Sequence, residues 1–382
     1  MANDLSAIMP KILARGLLTL REQAVMPRLV NLDYGSDAAE KGDTIDVPIP
    51  TAKTAQDVTP SEVPPATADS TPGKVQIALD NWKHVDFKLS DRDLMEVDRE
   101  RHFLPLEMAE AVRALANEVN LSLHQQYKGI YGFVGTAATT PFGSDATEAI
   151  AARKALLTQA APKTDRRIVL DFDAETNALA LPDFADVEKT GESGVKVEGE
   201  TGRKYGFDWF SDDTVQTHTA GTLTGTIAVS GAHALGATSI ILATDGGEAV
   251  NLLEGDVVTF AGDTQTYVVG ADVNIGASTT GGITIYPGLK VALAGGEQIS
   301  VKGDHVVNLA FHRDAFAFAN RPLAQGTAEM ALGNGIVSMT DPQTGISMRL
   351  EVSRQHKQTV WDLDILWGAK LVRPELACRI AG

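Results

Sequence analysis

The sequence predicts an α+β protein of more than one folding unit, with an all-β segment inserted late in the chain. Three observations carry this. Leu104, Met108, Val112, Leu115, Val119 and Leu123 recur at three- and four-residue steps, the period of a helix buried along one face. Runs with strict period-two alternation flank that helix, at 45–49, 75–79 and 85–89 before it and at 346–352 and 361–367 far after it. Between 222 and 303 the style changes to 15 glycines, one proline and short Val/Ile/Thr runs, the pattern of a small β-barrel.

Size and composition fit this class. A chain of 382 residues, 43% hydrophobic and 22% charged, supports two or three folding units and excludes wholesale disorder. The net charge of −17 argues against a surface that grips phosphate backbones, which needs clustered Lys and Arg; high solubility is the plainer reading of the same number. The lone cysteine, Cys378, excludes a disulfide framework, fits a reducing compartment and reads as a small packed residue. No run of 18 apolar residues marks a membrane span, and Asp4 interrupts any signal-peptide pattern, so the expected location is the cytosol where the chain is made.

Taken in order, Asp4–Val30 reads as a helix with Ile8, Ile12, Leu17 and Leu20 on one stripe and Lys11, Arg15 and Arg21 on another. It is either a docking arm or a helix packed on its own core. Gly42–Ile49 is a strand with Ile45, Val47 and Ile49 on one face, and a second strand pair follows at Val75–Leu79 and Val85–Leu89. Between them Pro50–Gly73 is polar and holds Pro60, Pro64, Pro65 and Pro72, which makes a long two-stranded finger. Two strands alone bury too little to offset their ordering, so the finger is expected to be floppy or held by another molecule.

The long helix spans Leu104 to about Gln126, with Pro105 harmless in its first turn and Gly129 and Gly132 ending it. Its length is roughly 33 Å. A third helix opens at Ser144-Asp145, where Asp145 and Glu148 have capping-box spacing, carries Ile150, Leu156 and Leu157, and stops before Pro162. Arg167–Phe172 and Tyr205–Phe210 read as strands, as does Val306–Phe311. In the insert, strands are expected at 224–229, 239–242, 256–260, 265–269, 283–286 and 298–301. The chain closes on an amphipathic hairpin around the polar turn Arg354–Gln358.

No active site assembles from these residues. His312-Arg313-Asp314 has the letters of a kinase catalytic loop, but Ala319 stands where the Asn belongs, and a strand-end salt bridge is the plainer reading. Gly73-Lys74-Val75 lacks the upstream Gly and the Ser/Thr of a phosphate loop. The eight histidines stand singly, and the Asp212-Asp213 pair reads as a solvated loop. No catalytic, cofactor-binding or metal-binding residue is named, no cofactor is expected, and the chain reads as a non-enzyme.

The order of elements resembles the major capsid (coat) protein of tailed bacteriophages, the Hong Kong 97-type fold. Lys11–Leu17 looks like the arm of the short-tailed-phage (podovirus) branch, which also carries an inserted β-barrel domain. Gly42–Pro48 and Val85–Asp91 are similar to the strands flanking that family's E-loop, and Asn308–Phe316 and Leu371–Leu376 are similar to runs near its end. The resemblance implies an N-terminal arm at 1–32, an E-loop with flanking strands at 33–90, and a peripheral domain with its spine helix at 91–143. It further implies an axial domain at 144–221 and 304–340, an inserted β-barrel at 222–303, and a C-terminal hairpin of the peripheral domain at 341–382. By the same resemblance, copies of the chain form pentamers and hexamers of an icosahedral shell in the host bacterial cytoplasm and remain in the virion. Its implied partners are itself, a scaffolding protein and a portal at one vertex; double-stranded DNA is enclosed without specific binding, and no membrane is involved. Two rival readings are a phage tail or adhesin-type β protein and an enzyme with an unrecognised site.

Overall fold

The computed structural model describes residues 24–33, 44–49, 55, 57, 60, 72–92, 103–186, 202–321, 323, 335–341 and 345–382. Expectations for residues 1–23, and for most of the finger tip between 50 and 72, fall outside this set.

The long helix is Phe103–His124, and it tightens into a 3-10 turn, Gln125–Gly129, instead of stopping. Val112, Leu115, Ala116, Val119 and Leu123 are buried, while Glu110, Arg113 and Glu118 face solvent, as the periodicity requires. Each large apolar side chain on that stripe contributes about 1.5–3 kcal/mol by leaving water. The stripe packs on a five-stranded sheet built around the 14-residue strand Gln358–Leu371. One half of that strand lies between Ser347–Gln355 and Asn81–Ser90; the other half pairs with Phe316–Arg321, and Gly335–Thr340 lies outermost. Met348, Leu350, Leu363, Ile365 and Trp367 alternate onto the buried face. Trp367 donates its indole N–H to the Ser122 hydroxyl on the helix at 2.8 Å, so the large ring is buried without an orphaned donor.

A seven-stranded mixed sheet continues the same core. Its main path runs Phe133–Gly135, Ala377–Ala381, His305–His312, Arg166–Leu170, Phe207–Ser211 and Arg203–Lys204, and Thr217–His218 adds to the 305–312 strand. Helix Thr147–Thr158 covers one end of it. Cys378, on the Ala377–Ala381 strand, is fully buried, and burial pushes its thiol up to about 12, which makes it an inert packing residue.

Residues 222–303 fold around a second, separate core that includes Ile240, Leu242, Val258, Phe260, Tyr267, Ile283 and Ile285. Six strands run in the order 228–229, 239–243, 280–286, 267–269, 257–260 and 299–301. The first and last also bond to each other, through the Ala228–Gln298 bridge and the Val229 N–H to the Glu297 carbonyl, so the sheet closes on itself. A three-stranded sheet, 273–275, 249–252 and 222–224, completes the unit; the 249–252 and 273–275 strands are not apparent from the sequence pattern. Gly225, at φ +84°, splits the run expected at 224–229 into two strands.

The structure corrects several expectations. Gly73–Ala78 pairs with Thr44–Ile49 to make the finger, but Asn81–Ser90 leaves it and joins the body sheet, with Phe87 opposite Trp361. The root of the finger is held by the chain itself: Val47, Ile77 and Leu79 are buried against Ala317, Ala319 and Leu366. The helix expected to run on to Val30 is only Met26–Leu29 within the described residues, because Pro27 sits in its first turn and lacks an N–H. Ala24, Met26, Leu29 and Val30 lie in the main core, so this end packs on its own body.

Other corrections concern short-range chemistry. The Asp145–Glu148 capping box does not form; Asp145 instead accepts the Thr147 N–H at 2.9 Å, and helix Thr147–Thr158 begins later. Ile150 and Leu157 point to solvent, while Ala149, Ala152 and Leu156 make the buried stripe. The strand expected to reach Phe172 ends at Leu170, because Asp171 caps a helix, Phe172–Ala180, with Asp173 and Glu175 in its first turn.

Candidate functional site

Among the described residues, no group of three or more His, Cys, Asp or Glu gathers as a metal site. The described helices include none long and apolar enough to cross a membrane. His312-Arg313-Asp314 lies in a structural turn: Asp314 accepts from the Asn31 amide at 2.8 Å and Arg313 reaches Asp33 at 3.4 Å, tying down the segment before the finger. The densest buried polar chemistry is elsewhere, where the inserted sheets leave the body.

This junction grows from the end of the long helix. His124 closes its last turn and Tyr127 follows one step of three later, so both side chains reach the connector that leads into the insert. His124 Nε2 lies 3.3 Å from a carboxylate oxygen of Asp212, and both side chains are almost wholly buried. Asp212 also accepts the Thr214 N–H and hydroxyl at 2.9 and 2.8 Å. Burial works to raise the Asp212 carboxyl, but the His124 bond and charge and the Thr214 bonds outweigh it, so the group titrates below the usual carboxylate range. The acidic pair read from sequence as solvated is therefore divided: Asp212 is a buried anchor and Asp213 is exposed.

Six residues later the connector delivers His218. Its Nδ1 is 3.0 Å from the Tyr127 hydroxyl and its Nε2 is 2.8 Å from the Asp256 carboxylate inside the insert. Asp256 is fully buried and also accepts the Gly221 and Leu253 N–H groups at 3.1 and 2.8 Å. An ionised carboxylate only accepts, so Nε2 carries the proton and, in the neutral ring, Nδ1 accepts from Tyr127. The way in is paired with the way out, since His218 lies opposite His305 across two strands and their rings are 5.2 Å apart.

Arg379, on the last strand, closes the junction from below. It is completely buried, donates to the Gly255 carbonyl at 2.8 Å and to the Lys128 carbonyl at 3.4 Å, and lies 5.0 Å from the Tyr127 ring centre. Burial pulls its guanidinium down to about 10, which still leaves it charged at neutral pH. His305 donates from Nδ1 to the Gly303 carbonyl at 2.8 Å, and its buried Nε2 has no hydrogen-bond partner among the described residues. Desolvation accordingly lowers His305 to about 4, so its ring is neutral.

Chemically this is an anchor. Among the described residues no nucleophile faces a general base there; the polar groups bond one another, except the buried Arg379 Nε and His305 Nε2, which have no hydrogen-bond partner. Gly221 is required there, because a Cβ would meet the Asn251 carbonyl and the Asp256 carboxylate. Sequence reasoning missed the junction. Its one local signal is the pair of polar residues Asn120 and His124, with Tyr127, on the apolar face of the long helix; their partners lie far away in the chain.

No protein-family model matches the chain, and no curated protein sequence matches it. Among solved structures it is similar to a chain of the capsid structure of the Cyanophage P-SCSP1u, with 11% identity over 94% of this chain and 88% of that one and a TM-score of 0.51. It is also similar to a chain from Mycobacterium phage Che8, with 15% identity over 94% and 91% and a TM-score of 0.49. A third is a chain in the asymmetric unit of the bacteriophage PhiM1 mature capsid, with 11% identity over 90% and 82% and a TM-score of 0.46. The first of these establishes the fold: this chain is built like a phage capsid subunit along nearly its whole length.

Proposed function

We propose that this chain is the major capsid protein of a tailed phage, whose copies close into an icosahedral head shell around packaged double-stranded DNA. The observation that carries the reading is the shared fold with the cyanophage capsid chain across 94% of the sequence. The geometry agrees with it. A two-stranded finger projects from the body on a packed root, as suits a subunit that reaches beyond its own edge. Symmetric closure then turns modest contacts between copies into a stable container.

In this reading residues 1–32 are the arm, 33–90 the E-loop with its flanking strands, 91–143 and 341–382 the peripheral domain, 144–221 and 304–340 the axial domain, and 222–303 the inserted barrel. The net charge of −17 suits a container that does not hold its DNA by direct grip. A scaffolding protein during assembly and a portal at one vertex complete the set of partners. Negative-stain electron microscopy of the purified chain, alone and with its co-expressed scaffold, tests the reading. Closed particles of uniform size are expected; monomers or amorphous aggregate under both conditions would overturn it.

A further inference from the structure

Among the described residues the insert and the body share no apolar core: the buried side chains of 222–303 cluster by themselves, and those of the body do the same. What joins the two is polar. His218 meets the Tyr127 hydroxyl at 3.0 Å, and Arg379 donates to the Gly255 carbonyl at 2.8 Å. The Thr266 hydroxyl donates to the Tyr131 carbonyl at 2.6 Å, and Lys128 pairs with Glu254 at 3.3 Å on the surface. The two connecting strands are tied to each other, with His218 opposite His305 and the Ala220 N–H on Asp304 at 2.8 Å, so they form one ribbon.

Beside these fastenings lies a cleft of about 730 Å³. Gln126, Tyr127, Lys128 and Lys370 line it from the body, and Glu254 and Tyr286 line it from the insert. The insert therefore has open volume to move into. The Lys128–Glu254 pair that spans the cleft is exposed, and pairs of that kind restrain little.

The His305 ring sits within the attachment, 2% exposed, 5.2 Å from the His218 ring and 5.1 Å from the Phe133 ring. Its Nδ1 donates to the Gly303 carbonyl; its Nε2 has no partner, and neither has the Nε of the buried Arg379. Arg379 from the last strand, His218 from the incoming connector and Asp256 from the insert are the charged and titratable groups that act on it. Lys302 and Asp304 precede it on its own connector, while Tyr127 and Lys128 come from the end of the long helix and Glu254 from the insert. Asp256 is the buried carboxylate of this set, and it already accepts from His218, Gly221 and Leu253. A proton on His305 would thus add a cation near Arg379 and a second buried N–H with no acceptor, and nothing in the set is left to neutralise it.

We infer that the junction is an acid-released latch: protonation of His305 frees the insert to swing on its connecting ribbon while the insert and the body each stay folded. The sign follows from burial, which lowers His305 from 6.5 to about 4. The hold is complete above the ordinary value and is lost as pH falls through about 4. Each unit keeps its own core, so loosening the polar fastenings costs neither its packing. The latch goes beyond the shell reading and needs nothing from it.

Distances between two spin labels on the full chain decide it. Ile150→Cys on helix Thr147–Thr158 and Ile241→Cys on strand Ser239–Ala243 are exposed sites, one on the body and one on the insert. The native Cys378 is fully buried and its thiol is pushed up to about 12, so it takes no label. Labelled chain is diluted into excess unlabelled chain, so that distances within one copy are read by double electron–electron resonance. At pH 7 one narrow distribution is expected; at pH 4 it should be at least about twice as wide, with an unchanged circular dichroism spectrum. Adding His305→Gln should keep the distribution narrow at both pH values. The labelled chain with His305 intact decides the matter even if the His305→Gln chain does not fold. An unchanged width between pH 7 and pH 4 overturns the latch. So does equal broadening in a folded His305→Gln chain, which would assign the release to another group. Broadening that coincides with loss of the circular dichroism spectrum also overturns it, because the whole chain would then be unfolding.

Discussion

The finger and the inserted sheets both leave the body through paired strands, yet they are rooted by opposite chemistry. The finger stands on apolar contacts, Val47, Ile77 and Leu79 against Ala317, Ala319 and Leu366. The insert stands on buried hydrogen bonds and charge, with His218, Asp256, Arg379 and Tyr127 as its members. Apolar contact is non-directional and graded, so a root made of it can shift by small steps. A buried polar network has few satisfied geometries, because every misplaced donor or acceptor costs the desolvation of that group. The difference predicts that the insert holds one orientation to the long helix, whereas the apolar root of the finger tolerates repacking in small steps.

The largest expected effect comes from breaking the polar root. Asp256→Leu removes the acceptor for His218, Gly221 and Leu253 and leaves their donors buried without partners. A loss of about 3–5 kcal/mol is expected in urea unfolding of the full chain. A loss below about 1 kcal/mol would mean that water reaches the junction, and the contrast between the roots would disappear.

The next effect is pH-dependent and belongs to the same root. His305 has its folded value lowered to about 4 by burial, against an ordinary value near 6.5. Between those values the unfolded chain binds the proton and the folded chain does not, so stability rises with pH across that window. The contribution is fully present above the ordinary value and is lost as pH falls through about 4; its size is at most about 3 kcal/mol. Comparing urea midpoints of wild type and His305→Gln from pH 7 down to pH 4 isolates it. The variant should show a shallower decline, and parallel curves would remove His305 from the account.

These two tests also mark the limit of what the sequence discloses. The helix stripe from Val112 to Leu123 and the hairpin of Met348, Leu350, Leu363 and Ile365 were legible, because a period of 3.6 or 2 is a local record of one buried face. The change of style at 222 pointed to the all-β unit because glycine-rich turns between short β-branched runs are local too. Asp171, Asp173 and Glu175 mark the start of helix Phe172–Ala180 in the sequence, but the apolar run Ile168–Leu170 before them extends a strand pattern to Phe172. The polar root was not readable. Tyr127, His218, Asp256 and Arg379 come from four separated places, and a lone His or Asp carries no mark of the partner it will meet. Resemblance in element order supplied the fold class where residue patterns supplied only its pieces.

A close approach gives the third effect, at the finger. Gly368 lies on the long strand Gln358–Leu371 where the finger strand crosses it, and a Cβ there would meet the Ala78 carbonyl and the Ile77 side chain. Gly368→Ala should cost about 1–3 kcal/mol through overpacking. It should also loosen the finger selectively, seen as faster amide exchange at Gly73–Ala78 with unchanged exchange in the insert. Equal acceleration in both regions would show that the two roots are coupled, contrary to their separate chemistry.

The smallest effect tests whether the finger root is graded. Ile77 is fully buried at the centre of the apolar contact, between Val47 and the Ala319 and Leu366 side of the body. Ile77→Val removes one methylene and should cost about 0.5–1.5 kcal/mol, the transfer term plus whatever cavity the root fails to close. Because the neighbours are apolar and no hydrogen bond depends on Ile77's side chain geometry, Ile77→Leu should cost a similar amount or less, by repacking. A directional root would respond differently, with the isomer costing several times the deletion. Urea unfolding of the two variants, measured side by side, separates these cases. If Ile77→Leu proves the more damaging by several-fold, the finger is locked as firmly as the insert, and the predicted tolerance of its root to repacking is lost.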